Sequence, residues 1–186
     1  MVCANRQRLV AWAVTALFLN SAMSSWAAES DRIEPVLDRL AVVTTPDRED
    51  EFPAIGLDDR DRPHVAWFSY DGQRDDVCIS RWEGGAWSPR KRLSAGTGDC
   101  WRPVAMRDGH GRLWVIWTQN DAGNWDLWGR FLADDKWSDP RRLTDGPEPN
   151  TCHQVAVDSK GQLWIAWQSV AAGAYEIYLG QVPGFL

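Results

Sequence analysis

The stretch DGHGRLWVIWTQNDAGNWDLWGRF, residues 108–131, contains four tryptophans within 24 residues, together with aspartate, asparagine and glycine. The same pattern occurs 50 residues earlier and 50 residues later in the chain. A period of this length indicates stacked copies of one supersecondary unit. The residues that recur in phase are Trp67, Trp117 and Trp167; Asp58, Asp108 and Asp158; and Val65, Val115 and Ile165.

Each complete repeat contains four short runs of strand-like composition separated by turn residues. In the middle repeat these runs are residues 103–107, 113–118, 126–131 and 140–144. The second run, LWVIWT, is apolar on both alternating faces, whereas a strand with one face in water shows a polar residue at every second position. We therefore predict an all-β fold of four-stranded antiparallel sheets covered on both faces, which is typical of the blades of a β-propeller.

The tryptophans that recur in phase are predicted to fill the space between sheets. Burying one indole ring removes enough apolar surface from water to contribute a few kcal/mol. Ligand contact is the less favoured interpretation for these rings. They are Trp67, Trp114, Trp117, Trp164 and Trp167.

The N-terminal residues have the features of an export signal. Arg6 and Arg8 precede the apolar residues 9–23 and a small-residue stretch, SSWAA, that ends at residue 28. A membrane anchor is the alternative, but this apolar stretch of 15 residues contains Asn20 and is shorter than the about 20 residues of a spanning helix. We predict a signal peptide over residues 1–28 and an exported, periplasmic or extracellular β-propeller domain over residues 29–186, with no membrane span in the mature chain.

The mature chain is acidic. Without residues 1–28 it has 18 basic and 26 acidic side chains, a net charge of −8, which argues against a nucleic-acid partner because phosphate binding needs a basic face. Cys78, Cys100 and Cys152 remain, and their spacings are not those of a zinc site. Cys100 and Cys152 lie at the entry to adjacent inner strands and are the candidate disulfide. No metal and no cofactor are expected.

The repeat predicts three blades, at roughly residues 33–94, 95–144 and 145–186. The last blade has no fourth strand of its own, but residues 33–43, IEPVLDRLAVV, resemble WSPRKRLS and WSDPRRLT in having proline followed by Arg-Leu. A strand near Arg39 and Leu40 is therefore predicted to complete the last blade, in the same chain or in a neighbouring one. Because propellers close with about four to eight blades, one hypothesis is a homodimer with six blades. The alternative is a fragment of a longer protein.

The repeat also resembles a known family. The pattern Asp-x-x-Gly-x-Leu-Trp-Val-x-Trp, an acidic residue at the start of the third strand, and Trp-Ser-x-Pro-x-Arg-Leu-Thr resemble repeats of secreted bacterial β-propellers of the sialidase-like superfamily, which have BNR-type repeats. The resemblance implies a propeller over roughly residues 33–182. It also implies an arginine triad, a Tyr–Glu pair and an Asp acid. Arg81 and Arg130 have similar positions on third strands, but Gln181 occupies the third such position, so the sialidase chemistry is not transferred.

Ligands usually bind where the loops of a propeller gather on one face. Trp101 is the leading candidate there, because the in-phase residues are Glu51 and Thr151, so that packing does not require a ring. An exposed ring beside polar groups suits a sugar, which stacks its C–H face and uses its hydroxyls for hydrogen bonds. For Trp125 and His153, packing and a satisfied core position are the respective alternatives. The predicted ligand-binding residues are Trp101, Arg102, Asn120, Asp121, Asn124, Trp125 and His153.

The sequence contains no recognisable catalytic set, so a non-enzymatic role is favoured. The first interpretation is an exported, non-catalytic binding module with a carbohydrate or protein ligand at the loop face. The alternative is a sialidase-like glycan-processing enzyme, or a fragment of one. Its acids would come from Asp71, Asp75, Asp99 or Asp121. A third interpretation is a structural element that assembles with other envelope proteins.

Overall fold

The computed structural model describes residues 41–182, and this part of the chain consists of β-strands and connecting loops without a helix. The predicted all-β class is confirmed. None of the described residues forms a helix with the length and apolar character needed to cross a membrane. The strands are β1 (Glu49–Leu57), β2 (Pro63–Tyr70), β3 (Asp75–Arg81), β4 (Lys91–Arg92), β5 (Cys100–Arg107), β6 (Leu113–Asp121), β7 (Asn124–Ala133), β8 (Lys136–Trp137), β9 (Arg141–Arg142), β10 (Thr151–Val157), β11 (Leu163–Ala171) and β12 (Ala174–Gln181).

The strands form three antiparallel sheets, one for each repeat. The first sheet has the order β1-β2-β3-β4, the second has β5-β6-β7 with both β8 and β9 paired to β7, and the third has β10-β11-β12. Consecutive strands are neighbours, except that β9 pairs with β7 and not with β8, so each repeat folds as a meander. In the described residues the third sheet has no fourth strand, and β12 is its outer edge.

The aspartates that recur every 50 residues hold the turn between the first two strands of each sheet. Asp108 Oδ1 accepts the backbone amides of His110 and Arg112 at 2.9 and 3.0 Å, and its Oδ2 accepts Arg112 Nε at 2.7 Å and Trp114 Nε1 at 2.9 Å. The two amide bonds and the ring contact recur at Asp58 with His64 and at Asp158 with Trp164. These turn carboxylates satisfy donors that the tight turn leaves without a strand partner, and they define the turn end of the sheets.

Side chains of the second sheet alternate between two apolar clusters, as the double-sided pattern of LWVIWT predicts. Val115 and Trp117 lie in the cluster shared with the first sheet, whereas Trp114 and Ile116 lie in the cluster shared with the third. The packing predicted for the in-phase rings is confirmed at Trp67, Trp114 and Trp117, which are 2, 1 and 0% exposed. Trp164 and Trp167 in the third sheet are only half-buried.

The first and third sheets each present apolar side chains to solvent. In β1, Ile55 and Leu57 are 66 and 40% exposed, and in β12, Ile177 and Leu179 are 77 and 67% exposed. Packing between sheets joins the first to the second and the second to the third, so the described strands form an open stack. The predicted closing strand near Arg39 and Leu40 lies outside the described residues, as does the predicted signal peptide.

Candidate functional site

The inner strands β1, β5 and β10 each contain a break in register with the next strand. In β5 the break falls between Trp101 and Val104, and Arg102 at the break has a φ of 47°. Left-handed backbone of this kind is uncommon for residues other than glycine, and β-bulges re-aim side chains beside functional sites. The breaks in β1 and β10 lie at Phe52 and Cys152, both with a φ of 53°. Phe52, Arg102 and Cys152 are termed the bulge residues.

Two bulges bring aromatic rings together at the loop end of the first and second sheets. The Trp101 ring lies 5.5 Å from the Phe52 ring and 6.2 Å from the Phe68 ring, measured between centroids. The Arg102 guanidinium lies 5.9 Å from the Phe52 centroid, within range of a cation–π contact. Trp101 is still 39% exposed. These four residues are termed the ring cluster, in which the exposed face of Trp101 is backed by two phenylalanine rings and has a cation nearby.

Two carboxylate residues are brought close to the strand that carries Trp101. Asp99 directly precedes β5, and its carbonyl accepts the Asn120 amide at 2.8 Å. Asp121 follows Asn120 at the end of β6, and the side chains of Asp99 and Asp121 are both exposed. Asp99 thus lies two residues before Trp101 in the chain, and Asp121 directly follows the residue that bonds to Asp99.

Asp71 and Asp75, the other two acids of that set, have different surroundings. Asp71 Oδ1 accepts the turn amides of Gln73 and Arg74 at 3.0 and 2.9 Å. These backbone bonds, the one from Arg74 above all, lower the pKa of Asp71, and Arg48 pairs with its other oxygen at 3.1 Å. Asp71 therefore holds a turn, and Asp75 opens β3 opposite Tyr70.

Several predicted ligand-binding residues use their polar groups within the fold. Asn120 Oδ1 accepts the Gly123 amide at 3.1 Å, and Asn124 Nδ2 donates to Asp126 at 3.2 Å and to the Gly146 carbonyl at 3.0 Å. Trp125 is half-buried. Of the predicted set, the exposed side chains are thus those of Trp101, Arg102 and Asp121.

His153 is 3% exposed and both of its ring nitrogens have partners. Burial lowers the pKa of His153 to about 4, so the ring is neutral near pH 7. Nε2 donates to the Ile116 carbonyl at 3.1 Å, and Nδ1 lies 3.3 Å from the Thr118 hydroxyl. This is the environment of a satisfied core histidine.

Cys100 and Cys152 are free thiols in the structure. Cys100 is completely buried, with its Sγ 3.6 Å from Gln119 Oε1, and burial raises the pKa of its thiol to about 12. Cys152 is exposed at the third bulge. No disulfide joins the two residues in the structure, where Cys100 is buried and Cys152 is exposed, and the pairing stays a prediction.

A cleft of about 390 Å³ opens at the loop end between the second and third sheets. The Trp167 and Tyr178 rings stack in its wall at 5.7 Å, and Trp167 Nε1 donates to Asn150 Oδ1 at 2.9 Å. Asp145 and Glu148 of the linker between β9 and β10 supply carboxylates. This inter-sheet cleft has the size of a small-molecule pocket.

Sequence reasoning did not find Phe52, Phe68 or Tyr178 as site residues. Neither bulge of the ring cluster contains a glycine that would indicate positive φ. Tyr178 is in phase with Cys78 and Trp128, so it had the appearance of a packing position. The repeat could have indicated these residues, because in-phase positions that are occupied by unlike residues show where the sheets differ.

Comparison with known proteins gives a fold class. No family model matches the sequence, and no curated protein matches it. An endo-arabinase from Bacteroides thetaiotaomicron superposes with a TM-score of 0.56 at 14% identity, covering 81% of this chain and 61% of that chain. A structure from the GH130 family of mannoside phosphorylases, which contains glycoside hydrolases that target β-1,2-mannosidic linkages in Candida mannan, gives a TM-score of 0.46 at 12% identity and covers 70% of this chain and 49% of that chain.

The likeness to the endo-arabinase shows the β-propeller fold, and the chain spans less than two thirds of the length of either protein. The favoured interpretation from the sequence, a non-catalytic binding module, is corrected by this finding. The protein that shares the strand arrangement is named for an activity on a glycan. Of the interpretations drawn from the sequence, the alternative of a glycan-processing protein fits the comparison better.

Proposed function

We propose that this chain is a glycan-processing protein, or a part of one, and that a sugar binds on the ring cluster. The observation that carries the proposal is the Trp101 ring, 39% exposed, on a strand preceded by Asp99 and bonded through Asn120 to the segment with Asp121. The propeller likeness to an endo-arabinase supports it and makes arabinan the first substrate class to test.

The ring cluster and the two acids have complementary roles in this proposal. The indole of Trp101 stacks on the C–H face of a sugar ring, and Arg102 donates hydrogen bonds to hydroxyls. Hydrolysis of a glycosidic bond uses two carboxyl groups. One protonates the leaving oxygen, and the other activates water or attacks the anomeric carbon. Asp99 and Asp121 are the pair for these two roles.

The three sheets are proposed to be three propeller blades within residues 29–186, and the protein to be exported after removal of residues 1–28. The pattern LVAWAVTALFLNSAM at residues 9–23 supports export. The narrower affiliation to the sialidase-like superfamily rests on the repeats of the sequence alone.

The experiment measures release of reducing ends from arabinan and from a panel of other oligosaccharides, with binding measured in parallel by calorimetry. Trp101→Ala is expected to weaken binding at least about 10-fold, and Asp99→Asn or Asp121→Asn to lower turnover about 100-fold or more with binding retained. Trp82→Ala and Asp59→Asn, at half-buried and exposed positions outside the ring cluster, are the matched controls. Wild-type protein that neither binds nor cleaves any member of the panel would overturn the proposal.

A further inference from the structure

In the first sheet, the two residues that follow the fourth strand, Leu93 and Ser94, bond to the third strand and are termed the clip. The Leu93 amide donates to the Val77 carbonyl at 2.7 Å, and the Ser94 hydroxyl accepts the Val77 amide at 3.1 Å. Both polar groups of the Val77 backbone are thereby satisfied at the sheet edge. The second sheet repeats the two bonds at 2.7 and 2.9 Å with Leu143, Thr144 and Leu127.

Among residues 41–182, nothing pairs with the outer edge of the third sheet, and the clip has no counterpart there. Ile177 is in phase with Val77 and Leu127, and it is 77% exposed on β12. Its neighbour Glu176 is also exposed, whereas the in-phase Asp76 is buried and paired with Arg92 at 2.6 Å. An exposed strand edge with apolar side chains is a template for pairing with another strand.

Two residues in phase with the clip, here termed the spare clip, lie at the beginning of the described chain and belong to no strand. Val43 and Thr44 precede Leu93 and Ser94 by 50 residues, and Val43 precedes Asp50 by the same seven residues that separate Leu93 from Cys100. Residues 41–44 belong to none of the strands of the structure, and Val42 is 84% exposed. This phase moves the expected closing strand from Arg39 and Leu40 to Val43 and Thr44.

The spare clip and the uncovered edge belong to opposite ends of the stack. Arg48 holds the segment after the clip on the first sheet through Asp71 and Asp76, at 3.1 and 2.9 Å. Packing joins the first sheet to the second and the second to the third. The clip of one chain therefore meets the β12 edge of another more directly than its own.

We propose that residues 41–44 of a second copy of this chain form the missing fourth strand of the third sheet, reciprocally, so that two copies close one ring of six sheets. Val43 then donates its amide to the Ile177 carbonyl, and Thr44 Oγ1 accepts the Ile177 amide. The exposed apolar faces with Ile55 and Leu57 in one copy and Leu179 in the other are covered in the same contact.

The side chains at the proposed contact fit a subunit interface. The pairing of Cys78 with Arg92 and of Trp128 with Arg142 places Val42 opposite Tyr178. An exposed valine and a Tyr178 that is 37% exposed stand where the other sheets pair an arginine. The contact between copies is therefore apolar at the position where the contacts within a chain carry a charge.

The register is tested by cysteine cross-linking of the full chain in a background in which Cys3 and Cys152 are replaced by serine. Val42 and Tyr178 would form a non-hydrogen-bonded pair, whose Cα separation of about 4.5 Å suits a disulfide. Val42→Cys protein mixed with Tyr178→Cys protein is expected to give a covalent dimer as the main product after mild oxidation. Light scattering of the wild-type chain is expected to give the mass of two chains.

The out-of-register mixture of Val42→Cys with Ile177→Cys is the control and should cross-link at least about 10-fold less. All three substituted positions are exposed, so folding can be checked by the retained mass and circular dichroism of each single variant. A monomeric mass, an open series of larger oligomers, or a disulfide that forms within the Val42→Cys/Tyr178→Cys double variant but not in the mixture would each overturn the proposal.

Discussion

At the turn end the three sheets make matching bonds, whereas at the loop end each gap between sheets is built with different partners. The Asp58, Asp108 and Asp158 carboxylates each accept two turn amides and one ring nitrogen. The loop end contains the ring cluster in one gap and the inter-sheet cleft in the next. Residues that recur in phase stabilise the fold, whereas positions at which the repeats differ determine the surface at the loop end.

A few sequence differences between the repeats account for the difference between the two gaps. In the gap between the first two sheets, Gln119 Nε2 donates to the Ala95 carbonyl at 3.1 Å and its Oε1 accepts Trp117 Nε1 at 2.9 Å. Gly98 lies so close to Asn120 that an added Cβ would stand 1.7 Å from the Asn120 carbonyl oxygen. The in-phase residues of the next gap are Ser169 and Glu148, and there the linker borders a cleft of about 390 Å³.

The largest effect on stability is expected from removing a turn carboxylate. Asp108→Ala should lower the free energy of unfolding by about 3 kcal/mol, because it leaves the buried Trp114 Nε1 and two turn amides without their acceptor. Urea unfolding measures the change. Asp59→Ala, at an exposed acid of the neighbouring turn, should change stability by less than about 0.5 kcal/mol. Equal effects of the two variants would contradict the role of the turn carboxylates.

Exchanging linker residues between the two gaps should have the next largest effect. Gly98→Glu is expected to cost about 2 kcal/mol, because its Cβ meets the Asn120 carbonyl and the linker must move away. The reverse exchange, Glu148→Gly, removes an exposed side chain and should cost less than about 1 kcal/mol. If both exchanges were tolerated equally in urea unfolding, the gaps would not differ in the way described.

A smaller and pH-dependent effect is expected at Asp58. Burial by itself raises the pKa of Asp58, but hydrogen bonds from His64 and from the Arg62 and Arg60 amides outweigh it and lower the pKa from 3.8 to about 2. A depressed pKa in the folded state stabilises the fold above the unfolded value, and that contribution is lost as the pH falls through the folded value. The stability difference between wild type and Asp58→Asn should therefore be full above about pH 4 and shrink towards pH 2. A stability difference between the two proteins that stays constant from about pH 4 to pH 2 would refute the lowered pKa of Asp58.

The smallest effect on stability is expected from closing the cleft. Ser169→Gln installs the residue that seals the first gap at the in-phase position of the second. Ser169 is buried but borders the cleft, which has room for the longer side chain, so the free energy of unfolding should change by about 1 kcal/mol or less. Hydroxyl-radical footprinting should show lower oxidation of Trp167, whose ring lines the cleft. Unchanged oxidation of Trp167 would indicate that the size of residue 169 does not control the opening.

The sequence predicted the features that repeat. The period of 50 residues predicted the three sheets, and the apolar alternation of LWVIWT predicted the burial of Trp114 and Trp117 on opposite faces. These features follow from local patterns, since side-chain period and turn chemistry act over a few residues.

The site was predicted only in part. Trp101 was singled out because its in-phase residues are Glu51 and Thr151, and its role in ligand binding stays a prediction. Phe52 and Phe68 were missed because their approach to Trp101 depends on a bulge and on cross-strand register, which neither residue type reveals. His153 was predicted as a ligand-binding residue, and the structure places it inside, where it satisfies Ile116 and Thr118.

The bulge residues bear on how the scaffold can be engineered. A phenylalanine, an arginine and a cysteine keep a backbone conformation with a φ of 53, 47 and 53° that glycine adopts freely. An L side chain in this region costs about 1 kcal/mol or more. Phe52, Arg102 and Cys152 are therefore three places where glycine would relieve backbone strain, but it would also add conformational freedom to the unfolded chain, and at Phe52 and Arg102 it would remove the contacts of the ring cluster.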